Sequence, residues 1–240
     1  MALLLIGVGC TDLAHSVRHT RFLPGTCGAV AAVVVGLLAG LTGWPDLAAV
    51  LVVAAFAFGW ELAVSRGFSA ARPALPLALL VAAIGAAALL SGQAGEAGGL
   101  LGRWVDQVPL PVVGDLDADG FLLLTGVVLL QLSTGNVLVR LVLAATGTIT
   151  TDLHGASRGP ERRLKGGRLL GPLERIFILG LGLAGNLTAA AIVVAAKGLL
   201  RWPELSSPTE QDRVHRLTEY FLVGSFVSWL VALTGLVLLS

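Results

Sequence analysis

Five mostly apolar stretches, 25–43, 47–65, 74–91, 120–139 and 218–239, approach or reach the length a helix needs to cross a bilayer. About 30 Å of hydrocarbon takes about 20 residues at a rise of about 1.5 Å each. In lipid every backbone N–H and C=O must find its partner within the structure, which only helices and closed barrels allow. A sixth stretch, 176–196, is long enough but carries Gly180, Gly182, Gly185 and Asn186 at its centre. The composition agrees: 55% of the 240 residues are apolar, 13% are charged, and the mean hydropathy is +0.86. A soluble domain carries about a quarter charged residues. The chain is therefore expected to be a single integral membrane domain over residues 1–240, an all-α, polytopic transmembrane helix bundle of about six hydrophobic segments. A formal net charge of +1 leaves no electrostatic footprint for a nucleic acid.

The connections suggest a topology. Trp44, Pro45 and Asp46 read as a tight turn between the first two segments, because Pro cannot continue a helix and Asp can cap the next one. Loop 92–119 holds Glu96, Asp106, Asp115, Asp117 and Asp119 against Arg103, whereas loop 148–175 holds Arg158, Arg162, Arg163, Lys165, Arg168 and Arg175. Basic loops stay in the cytoplasm, which leaves the acidic loop outside. Arg18, Arg21, Arg66 and Arg72 fall on the basic side too. Six full spans then make a multi-pass protein of the cell membrane with a cytoplasmic amino terminus. Residues 2–10 are apolar but lack a basic flank and a small-residue cleavage pattern, so they do not read as a cleaved signal peptide. Cys10 and Cys27 read as small hydrophobes.

Segment 176–196 admits two readings. A continuous spanning helix is the commoner object, but it strands Lys197, Arg201, Arg213 and Arg216 outside. A re-entrant hairpin breaking at Gly185 and Asn186 returns all four to the cytoplasm, with halves of about nine residues, too short to cross.

Several patterns invite a chemical reading. Gly180, Gly182 and Gly185 match G-x-G-x-x-G, but inside an apolar span they suit helix packing or a break better than a dinucleotide. Asp115, Asp117 and Asp119 begin like a calcium loop, which fails at Gly126 where a bidentate Glu belongs; they suit the start of a helix, whose dipole favours acids. Asp12, His15 and His19 share one helical face at a spacing compatible with metal coordination. Ionisable groups inside spans are costly and so are candidates for function. Glu61 and Arg140 lie at similar depth and could pair, or could each snorkel to the headgroups. Gln131, Ser133, Thr134 and Asn136 form a polar stretch that must face protein or water. The basic 158–175 loop could hold an anionic lipid, although retention in the cytoplasm accounts for its charge. No H-E-x-x-H, G-x-S-x-G or phosphate-binding loop occurs, and no cofactor is expected.

Gly166, Gly167 and Arg168, then Leu173, Glu174 and Arg175, then Ala196, Lys197 and Arg201, and finally Glu219 and Tyr220 follow a spaced pattern, with 136–140 fitting it as well. This part of the chain resembles a family of bacterial integral membrane proteins classed only as a domain of unknown function. That family opens with an apolar segment containing His and Asp, which Asp12, His15 and His19 match only faintly. The resemblance implies no activity. It implies that Glu174, Arg175, Lys197, Arg201, Glu204, Glu219 and Tyr220 act as one unit.

The leading functional expectation is binding or transport of a small solute, ion or lipid through a polar centre in the last three segments. Its residues would be Gln131, Asn136, Arg140, Glu174, Arg175, Asn186, Lys197, Arg201, Glu204, Glu219 and Tyr220. Two alternatives are an enzyme acting on a lipid-linked phosphate with Glu174 or Glu219 as base, and a non-catalytic scaffold whose Gly-rich helices form a homo-oligomer. Membrane lipids are the expected partners.

Overall fold

The structure is a computed structural model that describes residues 1–17, 22–93, 95–108, 116–149, 167–205 and 211–240. All its regular elements are helical: α1 Ala2–Val17, α2 Leu23–Leu38, α3 Trp44–Ser69, α4 Ala74–Leu90, a 3-10 turn Ser91–Gln93, α5 Gly99–Val105, α6 Ala118–Leu129, a π-helical turn Leu130–Thr134, α7 Gly135–Ala145, α8 Gly167–Leu183, α9 Leu187–Leu205 and α10 Gln211–Leu239. Trp44–Ser69, the continuous helix Ala118–Ala145 and Thr218–Leu239 are long and apolar enough to cross a membrane. Ala2–Val17, Leu23–Leu38, Ala74–Leu90 and Leu187–Leu199 are apolar but shorter. The chain is an all-α membrane protein, and the six full-length spans expected from hydropathy are reduced by where the helices end.

Two of those ends have one cause. Gly40 and Gly185 both have positive φ (77° and 75°), which favours glycine. Gly40 donates to the Leu37 carbonyl and Leu41 to Gly36; Gly185 donates to Gly182 and Asn186 to Leu181. Each is a Schellman closure, in which the left-handed residue turns the chain while orphan carbonyls are satisfied. The turn between α2 and α3 therefore lies at Gly40–Gly43, and Trp44, Pro45 and Asp46 form the first turn of α3 rather than the connection itself. The second closure divides 176–196 into α8 and α9, so the continuous helix is not formed. The halves are longer than nine residues, because both helices extend beyond the apolar stretch.

The described residues fall into two compact units: Met1–Ser65 with Leu75–Thr134, and Arg66–Ala74 with Gly135–Leu238. In the first unit, α1 supplies much of the core through Leu4, Leu5, Ile6 and Val8. It runs antiparallel to α2, with Leu3 beside Gly36 and Thr11 beside Gly28. It runs parallel to α6, with Leu5 beside Gly126 and Gly9 against Leu129. Gly28, Ala32 and Gly36, one turn apart, form the buried stripe of α2. Close approach through small residues is how helices associate where lipid removes the hydrophobic drive. By contrast α4 leaves Leu75, Val81 and Leu89 exposed, an apolar surface suited to lipid.

Part of the acidic loop is tied to this unit. Gly98 donates to the Ala39 carbonyl at 2.7 Å, Gly95 to Asp46 at 3.1 Å, and Ala97 to Asp119 at 3.1 Å. Asp117 caps α6 by accepting from the Gly120 N–H at 2.7 Å. Asp117 and Asp119 thus act at a helix start, as the dipole favours, while Asp115 lies outside the described residues. Ala2, Ala97 and Leu101 pack on one cluster around Ile6 and Leu122, so the Met1 end of α1 and the acidic loop occupy the same end of the unit.

In the second unit α8 and α9 fold back on each other. Ile178 meets Ala190, and Glu174 meets Lys197; the numbers in each pair fall almost symmetrically about Gly185, as an antiparallel hairpin requires. Ala232 and Trp229 of α10 pack on the same cluster. Gly182 admits the Leu236 side chain, which would lie 2.4 Å from an added Cβ.

Candidate functional site

The polar centre of the second unit starts with two adjacent residues of α8 that face different neighbours. Arg175, 1% exposed, donates to the Asn136 Oδ1 of α7 at 2.8 Å and to the Ser228 Oγ of α10 at 3.1 Å. Glu174 accepts from the Lys197 ammonium of α9 through Oε2 and from the Trp229 indole N–H of α10 through Oε1 at 3.0 Å. Adjacent residues of α8 thus meet adjacent residues of α10. Their charges are accommodated because buried ions are stable only when paired and hydrogen-bonded. Space comes from glycine: a Cβ at Gly135 would stand 2.6 Å from Arg175 Nε, and one at Gly171 would touch both Asn136 and Arg175. The Lys197 ammonium also sits 5.7 Å from the centre of the Phe221 ring.

Asn136, Glu174, Arg175 and Lys197 are therefore brought together as the sequence grouped them. The other expected members are placed differently. Arg140 lies over the Phe68 ring at 5.2 Å. Glu219 is exposed and accepts from the Thr148 hydroxyl at 3.4 Å, with Tyr220 half-buried next to it. Asn186 is exposed at the hairpin tip, where its amide donates to the Ala184 carbonyl at 3.3 Å; its work is to close the turn. Arg201 and Glu204 fall on the last part of α9, and their side chains lie outside what is described, as do Arg158, Arg162, Arg163 and Lys165 of the basic loop. Arg168 and Arg175 belong to helix α8 and not to a loop, which corrects the extent of the basic segment.

Ser228 and Trp229 had no motif to mark them, and Ser225 entered only at the end of the spaced pattern behind the resemblance, with no role attached. Their signal was polar spacing on one face of an apolar helix, since Ser225, Ser228 and Ala232 form a buried stripe of α10.

A second polar group lies within the first unit. Asp12 accepts from the Trp60 indole N–H through both oxygens, at 3.1 and 3.2 Å. Thr134 and Gln131, in the π-helical turn, are fully buried. Thr11 donates to the Gly7 and Ala57 carbonyls, and Ser133 to those of Gly9 and Leu129. His15 Nδ1 lies 3.7 Å from Glu61, whose other oxygen accepts from the Gly25 N–H at 2.8 Å. Glu61 thus caps the start of α2. Asp12 and His15 face separate partners on α3, and His19 lies outside the described residues. Among the described residues no group of three His, Cys, Asp or Glu is set to hold a metal ion.

No protein-family model, curated protein or solved structure matches the chain.

Proposed function

We propose that this chain is a multi-pass protein of the bacterial cell membrane that binds and moves a small anionic solute or an anionic lipid around Arg175. The carrying observation is a buried guanidinium held by Asn136 and Ser228 beside a Glu174 already matched to Lys197. Arginine offers a planar set of donors to phosphate or carboxylate. The resemblance of the carboxy-terminal part contributes the grouping of these residues and no activity. Use of Glu174 as a catalytic base is disfavoured because both of its oxygens are engaged. Inorganic phosphate and phosphatidylglycerol, added to the protein in zwitterionic nanodiscs, test the anion reading. Either one is expected to raise the unfolding temperature of the wild type and not that of Arg175→Gln. A wild type indifferent to both sinks it.

The orientation is part of this proposal. Glu174 lies 11 residues before Gly185, about 16 Å along a helix, roughly half the hydrocarbon thickness. A hairpin with its charged pair at the cytoplasmic interface and its tip near mid-membrane fits those lengths. The acidic loop belongs outside. Because Met1 shares its end of the first unit, the amino terminus is assigned to the outer side, opposite to the cytoplasmic position expected from six plain spans. With Cys10 and Cys27 replaced, Glu96→Cys is expected to react with an impermeant maleimide in intact cells and Ser207→Cys only after permeabilisation. Labelling of Ser207→Cys in intact cells rules out the re-entrant hairpin.

A further inference from the structure

We infer that Asp12 and Thr134, with the π-helical turn behind them, form a binding site for a monovalent alkali cation of the sodium kind. This site belongs to the first unit and does not depend on anion binding at Arg175. Asp12 is 8% exposed, Trp60 1% and Thr134 0%. A carboxylate has about four acceptor positions, yet its two oxygens here share the single Trp60 N–H. The Thr134 hydroxyl faces the same carboxylate and makes no hydrogen bond of acceptable geometry. Thr11 and Ser133 spend their hydroxyl protons on backbone carbonyls, so neither satisfies Asp12.

The surrounding charges sharpen the case. Helix α2 and the π-helical turn carry no ionisable acid or base beyond Cys27, α6 carries only Asp119 in its first turn, and α3 brings Glu61, a second negative group occupied with Gly25 and His15. Among the described residues no cationic side chain pairs with Asp12. A buried carboxylate needs a counter-charge. One negative charge calls for one positive ion, and the carboxylate and hydroxyl oxygens of Asp12 and Thr134 are ligands that suit a hard cation. A buried hydroxyl whose lone pairs are unspent is the kind of ligand such an ion uses. The π-helical turn is the structural device: inserting a wide turn in an α-helix re-aims its side chains, and such turns recur at functional sites.

The test uses the full chain in nanodiscs, with sodium chloride exchanged for choline chloride at constant ionic strength. Sodium is expected to raise the wild-type unfolding temperature saturably, as a ligand of the folded state does, and to change a tryptophan fluorescence component that is absent from Trp60→Phe. Asp12→Asn is expected to lose both responses while remaining folded in choline, because it removes the uncompensated charge. Thr134→Val, which keeps shape and removes the oxygen, is expected to weaken apparent sodium affinity by about tenfold. If Asp12→Asn does not fold, Thr134→Val decides. A wild type identical in sodium and choline overturns the inference. So does a sodium response that survives in Asp12→Asn or is unchanged in Thr134→Val, and so does a response to pH alone, which would make the occupant a proton.

Discussion

Gly28→Ala is expected to unfold the first unit, whereas Gly59→Ala, on the neighbouring α3, leaves it folded. A Cβ at Gly28 would lie 1.9 Å from Thr11 Oγ1 and 2.4 Å from the Gly7 carbonyl oxygen. The hydroxyl can rotate away, but the carbonyl is backbone of α1 and moves only if the helix does. Overpacking a core costs about 1–3 kcal/mol, and more when backbone must shift. The upper part of that range is a large share of the roughly 5–15 kcal/mol by which proteins are stable. Retreat of α1 from α2 also breaks the Thr11 bond to Ala57 and moves Asp12 away from Trp60. At Gly59 an added Cβ meets nothing within 4 Å, and Ala is favoured over Gly in a helix by about 0.5–1 kcal/mol. Thermal unfolding in detergent, followed by tryptophan fluorescence, separates the two. Equal stability of Gly28→Ala and wild type would mean that α1 does not pack on α2 in this register.

Cutting the α8–α9 ion pair should give unequal results from its two sides. Lys197→Met leaves the Glu174 carboxylate, 7% exposed, with the Trp229 indole N–H as its neutral donor. Removing one partner of a buried pair costs up to about 3–5 kcal/mol, and the neighbouring Arg175 guanidinium offsets part of that here. Glu174→Gln leaves Lys197, which is 25% exposed and has a long flexible stem that can carry its ammonium to water. That side should lose less. The double variant Glu174→Gln with Lys197→Met should recover about 1–3 kcal/mol relative to the sum of the single changes, the coupling expected of groups in contact. A double-mutant cycle by chemical unfolding in mixed micelles measures it. Additive single effects would show that the pair contributes no coupling to the hairpin.

Sequence alone marked the apolar helices and offered Gly185 and Asn186 as one of two readings of 176–196, the break that the structure then chose over a continuous helix. Apolar runs mark α3, α4 and α10 because lipid demands internal backbone pairing, and Gly185 followed by Asn186 marks the turn because a left-handed residue and a short amide can close an exposed helix end. It also assigned acids to the start of α6, a local effect, while the grouping of Glu174 with Lys197 came from the resemblance together with charge pairing. The role of α1 was not legible: a 16-residue apolar helix is too short to announce a span, and its burial comes from α2 and α6. Nor did spacing reveal that Asp12 meets Trp60, 48 positions away, or that Arg175 meets Ser228, 53 positions away. Periodicity within one helix states which side chains share a face. Which faces meet is decided by the register between helices distant in the chain, and that register is set by small residues such as Gly28 and Gly135 that let particular backbones approach.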